Sequence, residues 1–557
     1  MEIPANMTAL IRTLGSGACI CVLMLSNKAV ADDGGTCARY APGSTIHEAP
    51  AIYSSHGVLR LKLFYRTSTN QAGRALYCFV TEDGIESPTL HVSPGDEVQI
   101  QLKNQVTESP GHAHHAAPPT RIAGSLSSTC GAVVMTSASV NLHYHGTRIP
   151  PVCHQDEVIR TLVNSGETFQ YDLHIPNSQP SGLYWYHPHV HGMSEPAVLG
   201  GASGALIVDG IQNVNPAVAG LRERVLIIRD NPRAASAARN DSTQPVSDEG
   251  GADGGVPAKD LSLNYVPILY PNYTPPVLAM KPGERQFWRV LNASADTILN
   301  LVLQYNDLSQ PFEVIALDGV PLEPQESGQA WREFHLVLPP AARAEVVVTG
   351  PSNKFQDAVL RTASVNTGPD GENDPIRPLL RITIADNAPE PLVTVPQVSG
   401  PARTVQYSDL GAVKPNTTRS LYFSESDPSG PQNQRDFFIT VEGQTPMKFN
   451  PDSPPALTTK QGAVEDWIIE NRSKESHDFH IHQLHFLLLE RNGEPVHSQY
   501  LDTVDIPYWS GTGPYPSLKI RLDFRDADTG DFVYHCHILE HEDNGMMAVI
   551  RVLPKHN

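Results

Sequence analysis

Positive charge, cysteine and long apolar runs are all scarce in this 557-residue chain, and each scarcity excludes something. Lys and Arg number 40 against 60 Asp and Glu, a formal charge of −20. An acid excess of that size argues against nucleic acid and against anionic membranes as partners. No segment beyond the N-terminus reads as a transmembrane helix, so no membrane span is expected. At the N-terminus, Arg12 precedes the apolar stretch Ala18 to Leu25, and Ala29-Val30-Ala31 offers small residues for cleavage. Residues 1–31 therefore read as a secretory signal peptide, with export to the periplasm or the extracellular space expected.

Cysteine usage agrees with export. Of seven Cys, Cys19 and Cys21 lie in the signal, and Cys37, Cys78, Cys130 and Cys153 sit in the first quarter of the chain that follows it. Four close cysteines suit two disulfides, with three connectivities open. Cys130 with Cys153 is preferred, because both flank one expected strand. Cys536 stands alone, and metal ligation gives an odd thiol a role.

What the chain does hold is turn formers. With 48 Pro and 41 Gly between many short Val-, Ile- and Tyr-rich runs, it reads as all-β. Its length implies two to four domains. One unit recurs three times, a Gly turn feeding a hydrophobic strand that ends in Asn nine residues on: Gly95 to Asn104, Gly283 to Asn292 and Gly462 to Asn471. Three copies imply three β-sandwich domains, at 45–210, 218–395 and 400–557. Pro389 to Pro401 reads as a linker, and 233–258 as a mobile insertion.

Histidine separates these domains. Between Gly192 and Ser476 the only one is His335, so the middle domain reads as a structural spacer that walls a cleft. Four His-x-His pairs stand out in the outer domains: His143/His145, His187/His189, His480/His482 and His535/His537. Composition alone would give about one such pair. On a strand, residues i and i+2 face one way, so each pair can grip a metal or bridge two. The run from His535 to Met546 adds Cys536, His541 and Met546, and soft sulfur with imidazole and a weak axial thioether suits copper. Alternation along the strand sends Cys536 to one side and its two histidine neighbours to the other. His477, three residues before His480, is free to face Cys536. His112, His114 and His115 read as solvated loop residues. His191, His485 and His154 read as surface residues or as groups standing behind the ligands.

These motifs resemble those of three-domain multicopper oxidases of the bacterial laccase-like kind, and the resemblance spans the chain beyond the signal. It implies three cupredoxin-like Greek-key domains and four copper ions. His477, Cys536, His541 and axial Met546 would hold the type 1 ion, and His143 and His480 the type 2 ion. His145, His187 and His537 would hold one type 3 ion, and His189, His482 and His535 the other. Electrons from a small-molecule reducing substrate would pass from the type 1 site through Cys536 and its histidine neighbours, and four of them would reduce O2 to water. Glu540 and Asp156 are the carboxylates expected to relay protons. Only six methionines follow the signal and they are scattered, so phenolic or aromatic-amine donors, diphenols among them, are preferred over metal ions (Cu+, Mn2+ or Fe2+). A copper-free exported scaffold would lack ligands, and none of the twelve positions is missing.

Overall fold

A computed structural model of the chain describes residues 37–70, 73–107, 130–132, 134–233, 255–322, 330–397, 409–427 and 435–555. The signal peptide, the loop histidines 112, 114 and 115, and most of the 233–258 insertion lie outside the described residues. Among those described, no helix is long and apolar enough to cross a membrane.

The architecture is β-sandwich three times over. The first unit contains β1 (Val58–Thr69), β2 (Glu97–Asn104), β3 (His143–His145), β4 (Gly182–His187) and β5 (Gly204–Val208), with the short helix α1 (Ser194–Leu199). The second contains β6 (Arg222–Pro232), β7 (Arg285–Asn292) and β8 (Arg343–Thr349). The third contains β9 (Thr417–Glu425), β10 (Val464–Asn471), β11 (His477–Ile481), β12 (Thr503–Ile506), β13 (Gly530–Cys536), the turn of helix α2 (Leu539–Asp543) and β14 (Met547–Leu553). Each unit closes on its own apolar core, with Tyr171, Trp288 and Trp467 among the fully buried side chains.

The threefold sequence repeat is the same strand in each unit. Gly95, Gly283 and Gly462 turn with φ of +94°, +67° and +94°, a region that glycine enters without steric cost. The strands that follow, β2, β7 and β10, each run parallel to a partner (β1, β6 and β9). The terminal Asn explains itself: all three are buried and bind backbone groups across the sandwich. The Asn104 amide donates to the carbonyls of Ala138 and Val163, that of Asn292 to Thr297 and Leu338, and that of Asn471 to Glu475 and Ile506. Each Asn oxygen accepts an N–H two residues on, from Val106, Ser294 or Ser473. These staples fix the chain as it crosses from one sheet to the other.

The second sheets of the outer units carry the histidines. In the first, β3 is the edge strand beside β4, with His143 opposite His187 and Trp185 opposite His145. In the third, β11 lies between β12 and β13, with Phe479 opposite Cys536 and His480 opposite His535.

Candidate metal centres

Two buried donor groups lie back to back on β13. Cys536 faces the core of the third unit, where its Sγ is 3.7 Å from His477 Nδ1 and 3.6 Å from His541 Nδ1. The two Nδ1 atoms are 3.0 Å apart. Among the described residues Cys536 is the one free thiol. Met546 is buried in the same core, and its carbonyl accepts the Cys536 N–H. The outer ring nitrogens point elsewhere: His477 Nε2 is 2.8 Å from Ser473 Oγ and 3.4 Å from Glu425, and His541 Nε2 is 3.4 Å from Glu475. So the Nδ1 atoms aim at the sulfur. Burial pushes the Cys536 thiol up and both imidazoles down. Holding a thiolate here therefore requires a cation between sulfur and the two nitrogens.

His535 and His537 point the other way, into a shell shared with the first unit. His189, His482 and His535 converge, their ring centroids 4.8 to 5.3 Å apart. His145, His187 and His537 form a second trio at 5.0 to 6.0 Å. His143 and His480 lie between them, each stacked at 3.9 Å on the other pair's partner, His482 and His145. All eight rings are buried. Burial keeps all eight neutral, and neighbouring imidazoles add to it at every ring but His535; His187 falls to about 3 and His535 to about 4. Neutral imidazole is the metal-binding form.

The shell tests whether a metal fits. Nδ1 of His187 lies 2.9 Å from the Pro188 carbonyl, that of His480 2.7 Å from the Asp502 carbonyl, and that of His535 2.8 Å from the Cys536 carbonyl. A carbonyl can only accept, so each Nδ1 carries the proton and each Nε2 turns a lone pair inward. Nε2 of His143, His145, His187 and His480 finds no partner at all. Buried polar atoms are rarely left so, and a cluster of inward lone pairs is what metal ions satisfy.

Asp156 is placed as an orienting group. Its oxygens lie 3.0 and 3.1 Å from His143 Nδ1, and it also accepts from the Tyr144 N–H and the Gln483 amide. Glu540 lies on the side of the thiol pocket. Its N–H donates to Asp296, and the charged groups around its carboxylate are Asp296, His541, Lys259 and Glu475. Glu542, two residues on, is fully buried with no hydrogen-bond partner on either oxygen, and Oε1 is 4.0 Å from His189 Nδ1. A helix turn sends residues i and i+2 to opposite faces, which is why Glu540 and Glu542 meet different surroundings.

The middle unit does more than space the others. Arg343 of β8 donates to both oxygens of Asp502, at 2.7 and 2.6 Å, and lies 3.3 Å from His145 Nδ1. Asp318 accepts from the Asp502 N–H, while burial and the Asp502 charge raise it to about 7. Gly146 makes room for this pair, since a Cβ there would sit 2.5 Å from both Arg343 and Asp502. That glycine, directly after His145, was the only sequence trace of the arrangement. His485, buried 2.8 Å from the Asp318 carbonyl, stands behind the ligands; His154 lies at the surface, stacked on Phe169. His191 carries a buried, unpartnered Nδ1 and packs edge-on to Phe449.

Cupredoxin-like sandwiches carrying a buried thiol–imidazole pocket beside an eight-imidazole shell form a donor set suited to copper. Two stretches, 134–213 and 423–556, match multicopper oxidase family profiles. The chain is 26% identical over 472 residues to multicopper oxidase mco of Staphylococcus aureus, covering 84% of this chain and 81% of that one. It is 23% identical to a laccase of Bacillus subtilis, over 70% of this chain and 75% of the relative. In fold it resembles a multicopper oxidase from Campylobacter jejuni described as a metallo-oxidase, with a TM-score of 0.63, 21% identity and coverage of 92% and 96%. Family profiles, relatives and solved structures thus all place the likeness of this chain with multicopper oxidases.

Proposed function

We propose that this exported oxidase couples one-electron oxidation of phenolic or aromatic-amine donors to the reduction of O2 to water, using four copper ions. His477, Cys536, His541 and Met546 would hold the type 1 ion, and His143 and His480 the type 2 ion. His145, His187 and His537 would hold one type 3 ion, and His189, His482 and His535 the other. Copper there supplies one-electron redox chemistry at both centres. The observation that carries this reading is the placement of β13, whose single thiol enters one donor group while its two neighbouring histidines enter the other.

The remaining residues supply position and protons. Asp156 and Asp502 orient the imidazoles, and Glu542 is placed to hand protons toward His189. On the donor side, Glu425 and Glu475 face the outer nitrogens of His477 and His541. A carboxylate at that edge suits a phenol or amine, which sheds a proton as it gives up an electron. It equally favours a cationic donor, so oxidation of Fe2+, Mn2+ or Cu+ is the second reading. Metal analysis and a donor panel test the proposal. Four coppers per chain, a blue absorption lost in Cys536→Ser, and turnover of phenols with oxygen uptake are expected. A Cys536→Ser variant with unchanged colour would sink the type 1 assignment. Turnover of ferrous, manganous or cuprous ion without phenols would replace the first donor class by the second.

A further inference from the structure

The histidine spacing of the first unit runs one step beyond the shell. His187 and His189 enter the shell, while His191, two residues on, meets Glu542 and Asp543 of α2. One donor atom from each of these three side chains lies within 4.8 Å of the other two. Nδ1 of His191 is buried without a hydrogen-bond partner, and so are both oxygens of the fully buried Glu542. Asp543 is held in place, its carboxylate accepting the N–H groups of Gly192, Ser194 and Glu195 at the entry to α1. A carboxylate has about four acceptor sites, so these bonds leave one free. Among the described residues no Lys or Arg pairs with either acid. Lys448, whose charge reaches His191, is committed to Asp436 at 2.8 Å. Buried polar atoms are rarely left unpaired and buried acids rarely uncompensated, and one cation would answer both.

We propose that His191, Glu542 and Asp543 form a further metal site, sharing no ligand with the copper centres, for a divalent ion of the zinc class. One imidazole, two carboxylates and a water make up the four-coordinate set such ions take, and the lack of sulfur disfavours cuprous ion. Zinc bonds of about 2.1 Å place tetrahedral donors about 3.4 Å apart, so the side chains close by about an ångström. Glu542, free of hydrogen bonds, can make that movement. His191 and Asp543 are half-buried and give the ion its way in, whereas Glu542 is the inner ligand. An ion seated there takes up the carboxylate that faces His189 and slows oxygen reduction without touching the thiol pocket. The site stands on these three side chains, whereas its effect on turnover rests on the reading that Glu542 passes protons toward His189.

Copper-loaded protein dialysed against zinc chloride tests the site. One zinc per chain is expected in addition to the copper already bound, with the copper content unchanged. His191→Ala should weaken that binding at least about tenfold, since even groups behind a ligand are worth about 10–100-fold in affinity. Its turnover without zinc should match the unaltered protein. Saturating zinc should slow turnover at least about tenfold in the unaltered protein and leave anaerobic bleaching of the blue band fast. In His191→Ala the same zinc should change neither. No added zinc, or equal zinc affinity in His191→Ala, would overturn the site. Zinc taken up only as copper leaves would place it in the shell and overturn the site as well. Anomalous diffraction at the zinc edge, from zinc-soaked crystals of the unaltered protein, covers the case in which the variant does not fold. A peak among His191, Glu542 and Asp543 is expected, and peaks only elsewhere overturn the inference. A peak there with turnover unchanged upholds the site and overturns Glu542 as the proton donor.

Discussion

Glu540 and Glu542 belong to one turn of α2 yet meet different surroundings, and that contrast gives a sharp test. Glu542 lies 4.0 Å from His189 with neither oxygen hydrogen-bonded, whereas Glu540 faces Asp296 and His541. Glu542→Gln keeps the volume but cannot ionise, so turnover should fall at least about tenfold, at the low end for a general acid–base group. Anaerobic bleaching of the blue band by donor should stay fast in that variant. Glu540→Gln should change turnover by less than about threefold on the same scale. Asp156 invites a different substitution. It accepts from His143, Tyr144 and Gln483, and an amide in its place offers one acceptor oxygen and an unwanted donor. Asp156→Asn should weaken metal binding in the shell by roughly 10–100-fold. Copper analysis after mild chelation should then find the blue ion retained and the others depleted.

At the scale of elements, the repeat unit carries its own prediction. Asn292 staples two carbonyls in the unit without ligand histidines. Asn292→Ala leaves buried groups unpaired and should cost about 1–3 kcal/mol, with an unchanged visible spectrum. A thermal melt that does not move would show that these bonds are replaced by water. This strand was legible from the sequence because its grammar is local: a left-handed glycine, alternating apolar residues and a closing Asn. The His-x-His pairs were legible for the same reason, since i and i+2 share a face in any strand. Arg343 and Asp502 were not, because their contact joins residues 159 apart and no repeat marks it. The setting of Glu542 was illegible for a smaller reason. Its position in a short helical turn, not its identity, decides which of three neighbouring acids faces His189.

Over the whole molecule, covalent and coordinate links fall in different places. The disulfides Cys37–Cys78 and Cys130–Cys153 both lie in the first unit, the second being the pairing preferred on sequence grounds. Thiol titration of the denatured, metal-free protein lacking residues 1–31 should therefore find one free thiol, Cys536. Reduction should lower the melting temperature, each bridge contributing about 2–5 kcal/mol. Finding five thiols would remove the bridges. The metal donors are distributed otherwise. His477, Cys536, His541 and Met546 all come from the last 81 residues, whereas the shell draws half its imidazoles from the first unit and half from the third. A ribosome that has released everything up to β10 has made half a shell and none of the thiol pocket. The shell can thus be filled only after the chain is finished and its two ends have met, while the pocket needs the third unit alone. Copper would enter a newly made molecule in that order, blue first and oxygen-competent last, and gentle denaturation should empty it in reverse.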